Sequence, residues 1–221
     1  MKKASKPQKD STQEVVARVA QGISIVADAI ANVREYLSGG SQMALLAVRD
    51  CERELDQLER DMDERVPAAI TRAGEIKARE LLACLRFASE LERMGDLLLW
   101  VAERSGLATL NDDDSASLDR MLEIEARMMT DIAAGFEERT VDRAYAVLSA
   151  DPELDRLRTG VFQDHLKRRP RARKSDSIDV LFMTQTVERV GDHATNLAEE
   201  LVHLIEHRSI RHAKKKVVEA S

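Results

Sequence analysis

Eight carboxylates in this chain stand in pairs four residues apart, and the pairs form two matched sets. Glu92 and Asp96 sit in ERMGD at 92–96, and Glu188 and Asp192 in ERVGD at 188–192. Upstream of each lies a second pair, Glu52 with Asp56 and Asp151 with Asp155. Clustered carboxylates without Cys or His select a hard, oxygen-loving cation, so Mg, Ca, Mn or oxidised Fe suit them better than a thiolate zinc site does. Four negative charges per set also suit more than one ion. With 40 Asp and Glu in the chain, such pairs also arise by chance, as at Asp50/Glu54, Glu59/Asp63 and Asp119/Glu123. A single pair is ordinarily a solvated helix face, and like charges at this spacing cost a helix roughly 0.2–0.5 kcal/mol. Recurrence at matched positions lifts the four pairs above that background.

The elements that must carry them are helices. Charged residues make up 33% of the chain and aromatics 3%, a balance that favours long helices over sheets. Punctuation falls at Gly39-Gly40-Ser41, near Val66-Pro67, over 105–117, from Gly135 to Thr140 and at RRPRARKS, 168–175. This predicts helices near 11–38, 41–65, 68–105, 115–137, 140–167 and 175–208. Apolar residues step by 3 and 4 through Cys84, Phe87, Leu91, Met94, Leu98 and Val101, and again through Val187, Val190, Ala194, Leu197, Leu201 and Leu204. Such steps are bundle seams. Shifting by 96 lays Leu91-Glu92-Arg93 and Gly95-Asp96 on Val187-Glu188-Arg189 and Gly191-Asp192; shifting by 99 lays Val48, Glu52, Leu55-Asp56 and Leu58 on Val147, Asp151, Leu154-Asp155 and Leu157. A period this long marks a duplicated domain. The expected fold is all-α, two tandem three-helix bundles: a tail at 1–10, one repeat over 11–108, another over 109–210 and a basic tail at 211–221.

On those seams Glu92, Asp96, Glu188 and Asp192 fall one step off the core, facing out, and Glu52, Asp56, Asp151 and Asp155 fall at the edge of the seam, so neighbouring antiparallel helices would gather four on one patch. Gly95 and Gly191 each cost about 1 kcal/mol relative to Ala inside a helix, which points to a close approach by a neighbouring helix or a ligand. Asp151 is the exception to watch. Pro152 follows it, and Asp151 as an N-cap with Pro152 at the first helical position would turn that carboxylate toward its own backbone.

SELERMGD and TVERVGDHATNLAEE closely resemble the signature motifs of the PhoU family of phosphate-uptake regulators, variants of LERIGDHATNIAE. The resemblance covers about residues 11–210. It implies a cytosolic, non-enzymatic regulator that restrains uptake by the phosphate ABC transporter, through its ATPase subunit, and holds the partner sensor histidine kinase off. It also implies multinuclear metal clusters on acid-xxx-acid pairs, with iron, zinc, manganese or magnesium according to the member. Those pairs fall here on Glu52/Asp56 with Glu92/Asp96, and on Asp151/Asp155 with Glu188/Asp192. One departure is Lys77-Ala78-Arg79, where members often carry Asp-Leu-Arg.

Other classes lose ground. Net charge is -6, with no overall basic footprint for nucleic acid. No apolar run is long enough to span a membrane, so membrane association is expected only through partners. No GxSxG, P-loop or Cys–His nucleophile signature occurs, and the lone ExxH at Glu200–His203 lacks the second motif a di-iron bundle needs. His193 is read as a surface histidine rather than a supplementary ligand. Cys51 and Cys84 read as buried free thiols, and Trp100, Met128 and Met129 as core. KRRPRARK at 167–174 and RHAKKK at 211–216 read as a solvated loop and a frayed tail, with docking to anionic surfaces the other reading. A two-fold repeat with exposed patches makes a homodimer reasonable. The competing readings are a metal-independent helical scaffold and a related module serving another transporter or stress pathway.

Overall fold

The computed structural model describes residues 11–108, 110–167 and 174–208. They form six helices: α1 Ser11–Gly39, α2 Gln42–Ile70, α3 Glu75–Ser105, α4 Asp112–Glu138, α5 Val141–Lys167 and α6 Lys174–Glu206. No strand occurs among the described residues. Local chemistry sets the turns. Gly40 takes φ +64° after α1, and Ser41 caps α2 by accepting from the Ala44 N–H at 3.3 Å. Asn111 caps α4 through the Asp114 N–H at 3.0 Å, and Arg139 ends it in the left-handed region at φ 56°.

Two expected breaks are not breaks. α2 runs through Pro67 to Ile70, and α5 runs through Pro152. Each proline forfeits one helical hydrogen bond, but Val66 and Leu154, beside them, are buried and hold the helices to the core. Asp151 is therefore a mid-helix residue and not a cap. The 1–10 tail, residues 168–173 of the basic loop and the 211–216 run lie outside the described residues.

α1, α2 and α3 pack on one another, as do α4, α5 and α6, and the halves join through α3 on α6 and α1 on α4. The result is a front layer in the order α2-α3-α6-α5, with α1 and α4 behind it. Polar ties cross the junction. Arg86 reaches both carboxylate oxygens of buried Glu200 at 3.0 Å, Arg104 pairs with Asp179, and Arg34 pairs with Asp119 at 2.7 Å. Glu90 takes His193 Nδ1 at 2.6 Å and Asn196 Nδ2 at 3.0 Å. Burial pushes the Glu90 carboxyl up, but these two contacts outweigh it and hold it below its ordinary range.

The repeat extends to the back layer. An offset of 99 lays buried Val19, Ile23, Ile30 and Val33 of α1 on buried Leu118, Leu122, Met129 and Ile132 of α4. The same offset exposes where the halves diverge. Val15 and Val66 become Asp114 and His165, a buried pair with His165 Nε2 3.0 Å from Asp114 Oδ1. Val26 becomes Glu125, which is fully buried with neither carboxyl oxygen hydrogen-bonded. α2 buries seven residues, whereas its counterpart α5 buries only Ala144, Val147, Leu154 and Val161.

Some side chains fall differently from expectation. Met128, Met129 and Cys84 are core, but Trp100 is 40% exposed because its position turns toward the front face. Cys51 is half-buried. Burial pushes the Cys84 thiol up to about 12 and, with Asp28, Glu54 and Asp50 nearby, the Cys51 thiol up to about 11, so neither is a reactive thiolate.

Burial raises the Glu125 carboxyl well above the ordinary range, with a backbone contact at Gly191 opposing it weakly. A carboxyl whose folded pKa is raised favours the fold while protonated, and that contribution is lost as pH rises above the unfolded value of about 4.3. Glu125→Met, which keeps the volume without the charge, is expected to raise stability at pH 7 by about 1–3 kcal/mol in urea unfolding. It should also flatten the fall in stability between pH 4 and pH 7. A destabilised Glu125→Met would show that this carboxyl has a partner in solution.

Candidate metal centre: two carboxylate patches

The first patch is built where α2 crosses α3. Gly95 lets the helices close: a Cβ there would lie 2.7 Å from Leu55 Cδ1 and 3.7 Å from the Glu52 Cα. Leu55 thus fills the space a larger residue would take, and Glu52 and Asp56, on either side of it, are carried to the rim facing Glu92 and Asp96. The second patch repeats this where α5 crosses α6. A Cβ on Gly191 would lie 2.4 Å from Leu154 Cδ1, with Asp151 and Asp155 flanking that leucine and facing Glu188 and Asp192.

Their mutual field shows the gathering. The Glu52 carboxyl is raised by burial first, then by Asp96 and Asp56, with Arg53 and Arg60 opposing. Glu92 is raised by burial, Asp96, Glu59 and Asp56, with Arg93 opposing. Glu188 is raised by burial and Asp192, lowered by Arg158, and raised again by Asp155 and Asp151. Each set of four therefore converges on one surface, Asp151 included. Among the described residues, no three Asp, Glu, His or Cys side chains already stand together at the spacing of one ion. A bound ion would have to draw these solvent-facing side chains inward. The donor set, carboxylates alone on two rigid helices, suits a hard cation.

The two patches differ in a way other than the Asp151-Pro152 corner. Glu59 adds a fifth carboxylate to the first patch. The offset of 99 puts Arg158 at that position in the second. Its Nη2 lies 3.3 Å from Asp155 Oδ1, its Nη1 3.3 Å from Gln185 Oε1 and its Nε 3.7 Å from Glu188 Oε1, while Gln185 donates to Glu188 at 2.5 Å. The first patch has rim arginines too: Arg60 pairs with Asp56 at 2.8 Å, one turn away on the same helix, but is 58% exposed against 29% for Arg158. Both differences were readable once the repeat was aligned over the charges as well as the seam. His193 bonds Glu90 and lies in the junction between halves. Glu200 is held by Arg86, so the ExxH pair is not a ligand set.

Known proteins share this fold. A family model described as the PhoU domain matches the chain twice, at residues 19–105 and 118–201. The chain belongs to the PhoU family. Among PhoU relatives, a protein from Caulobacter vibrioides named phosphate-specific transport system accessory protein PhoU homolog is 28% identical over 200 residues, covering 87% of this chain and 84% of its own. A Thermotoga maritima protein, named phosphate-specific transport system accessory protein PhoU homolog 1, is 23% identical over 196 residues, covering 84% and 83%. The crystal structure of PhoU from Pseudomonas aeruginosa superposes with a TM-score of 0.82 at 20% identity, over 90% of this chain and 98% of that one, which establishes the shared fold. No helix among the described residues is long and apolar enough to cross a membrane.

If the four acids share one field, neutralising one must relax its neighbours. Asp96→Asn is expected to lower the pKa of both Glu52 and Glu92, read from carboxyl carbon shifts in an NMR titration. Because those two pKa values are raised in the fold, their contribution to stability falls as pH rises past the unfolded carboxylate value, and Asp96→Asn should reduce that fall. Unmoved titrations would mean the carboxylates are too far apart to act as one site.

Proposed function

We propose that this chain is a non-catalytic regulator of phosphate homeostasis that restrains the phosphate ABC transporter and its sensor histidine kinase, and that its carboxylate patches bind metal ions. Membership of the PhoU family carries the regulatory half of this reading, supported by relatives named as accessory proteins of the phosphate-specific transport system. The metal half rests on one observation: both halves bring four carboxylates from two helices to one outward face around a glycine-seated leucine. Glu52, Asp56, Glu92 and Asp96 would hold cations at the first patch, and Asp151, Asp155, Glu188 and Asp192 line the second. A bound metal would supply charge neutralisation to the carboxylates of a patch. The flat front layer then offers a surface for partners, including the transporter's ATPase subunit and a second copy of this chain, in the cytoplasm.

Elemental analysis of protein purified without chelators tests the metal half. Asp96→Ala/Asp192→Ala should lose most of the metal that the wild type holds, and equal content would remove these residues from the site. Deleting the gene tests the regulatory half. Phosphate-starvation genes should be derepressed in phosphate-rich medium, and unchanged expression would favour a scaffold or a role in another pathway.

A further inference from the structure

The duplication supplies an internal control, in which two copies of one crossing carry different charges around the patch: Arg53 and Arg60 of the first become Pro152 and Thr159 in the second. Where the first copy has Glu59, the second has Arg158. We propose that Arg158 is a tethered cation that occupies the second patch, so that of the two duplicated sites only the first takes a hard metal ion. This rests on the carboxylate reading above and narrows it.

Three observations support the assignment. Arg158 spans both helices of its patch, reaching Asp155 on its own helix and Glu188 and Gln185 on α6. Gln185 in turn donates to the Glu188 oxygen not facing Arg158, so both oxygens of that carboxylate are engaged. A metal would have to displace the guanidinium and release the glutamine as well. In the first patch, by contrast, Glu52 and Glu92 make no side-chain contact with an arginine that bridges the two helices, and Arg60 holds Asp56 from the solvent side within one helix. Pairs of that kind are worth only a few tenths of a kcal/mol and yield readily to a divalent ion.

The test is a Mn2+ titration of chelator-treated full-length protein, followed by calorimetry, with thermal unfolding of the metal-free protein alongside. In the wild type, Asp96→Asn should weaken Mn2+ binding at least tenfold, and Asp192→Asn should leave it within twofold. Arg158→Glu should create a second set of sites that Asp192→Asn then abolishes, and Glu59→Arg should weaken the first. Strong loss of binding in wild-type Asp192→Asn would overturn the proposal. So would first-patch binding that persists in Arg158→Glu with no new sites. If neither patch binds Mn2+ in any variant, the metal reading of the function falls and the metal-free Tm decides the role of Arg158. A fall of several degrees in Arg158→Ala, reversed in Arg158→Ala/Glu188→Gln, supports the tethered cation, and an unchanged Tm overturns it.

Discussion

The architecture of the front layer depends on a leucine seated against a glycine. Leu55 packs where a side chain at 95 would stand, and Leu154 where one at 191 would stand. Each glycine weakens its own helix by about 1 kcal/mol, and the close crossing offsets that cost with buried leucine surface. The crossing also has an electrostatic consequence. Carboxylates one residue or three from that leucine cannot retreat from those beside the glycine, so burial first, and the neighbouring acids second, raise the carboxyls of Glu52, Glu92 and Glu188. In the second patch Arg158 stands among those acids, 3.3 Å from Asp155 and 3.7 Å from Glu188.

The two halves handle burial and charge differently. The N-terminal bundle is closed by valines at 15, 26 and 66, and α2 presses seven residues into the core. Its C-terminal copy has Asp114, Glu125 and His165 in those places, and α5 buries four. The patches follow the opposite trend: the better-packed half carries the more acidic patch, and the looser half carries Arg158. One half thus combines a firm platform with an acidic surface whose Arg60 pairs within its own helix, while the other holds Arg158 across its two helices where its apolar packing is thinner.

Much of this was legible in the sequence. The seams, the six helices and the duplication follow from 3-and-4 spacing, which a helix converts directly into a face. Helix ends at prolines were not legible, because buried Val66 next to Pro67 and buried Leu154 two residues after Pro152 hold both helices to the core. Trp100 was misread as core, since a large apolar residue next to a seam still turns outward when its position faces no neighbouring layer. Pairings between the halves, such as Glu90 with His193, escape any local reading because they depend on how α3 meets α6. Arg158 and Glu59 lay in plain view, but they emerge only when the repeats are compared by charge.

The most direct test of the central claim, that close helix crossing creates a cation site from paired acids, is paramagnetic broadening by Mn2+ in the NMR spectrum of isotope-labelled protein. The account predicts that substoichiometric Mn2+ first erases the signals of Glu52, Asp56, Glu92, Gly95 and Asp96. Broadening spread evenly over the acidic surface, or centred on solvated pairs such as Asp119 and Glu123, would contradict it.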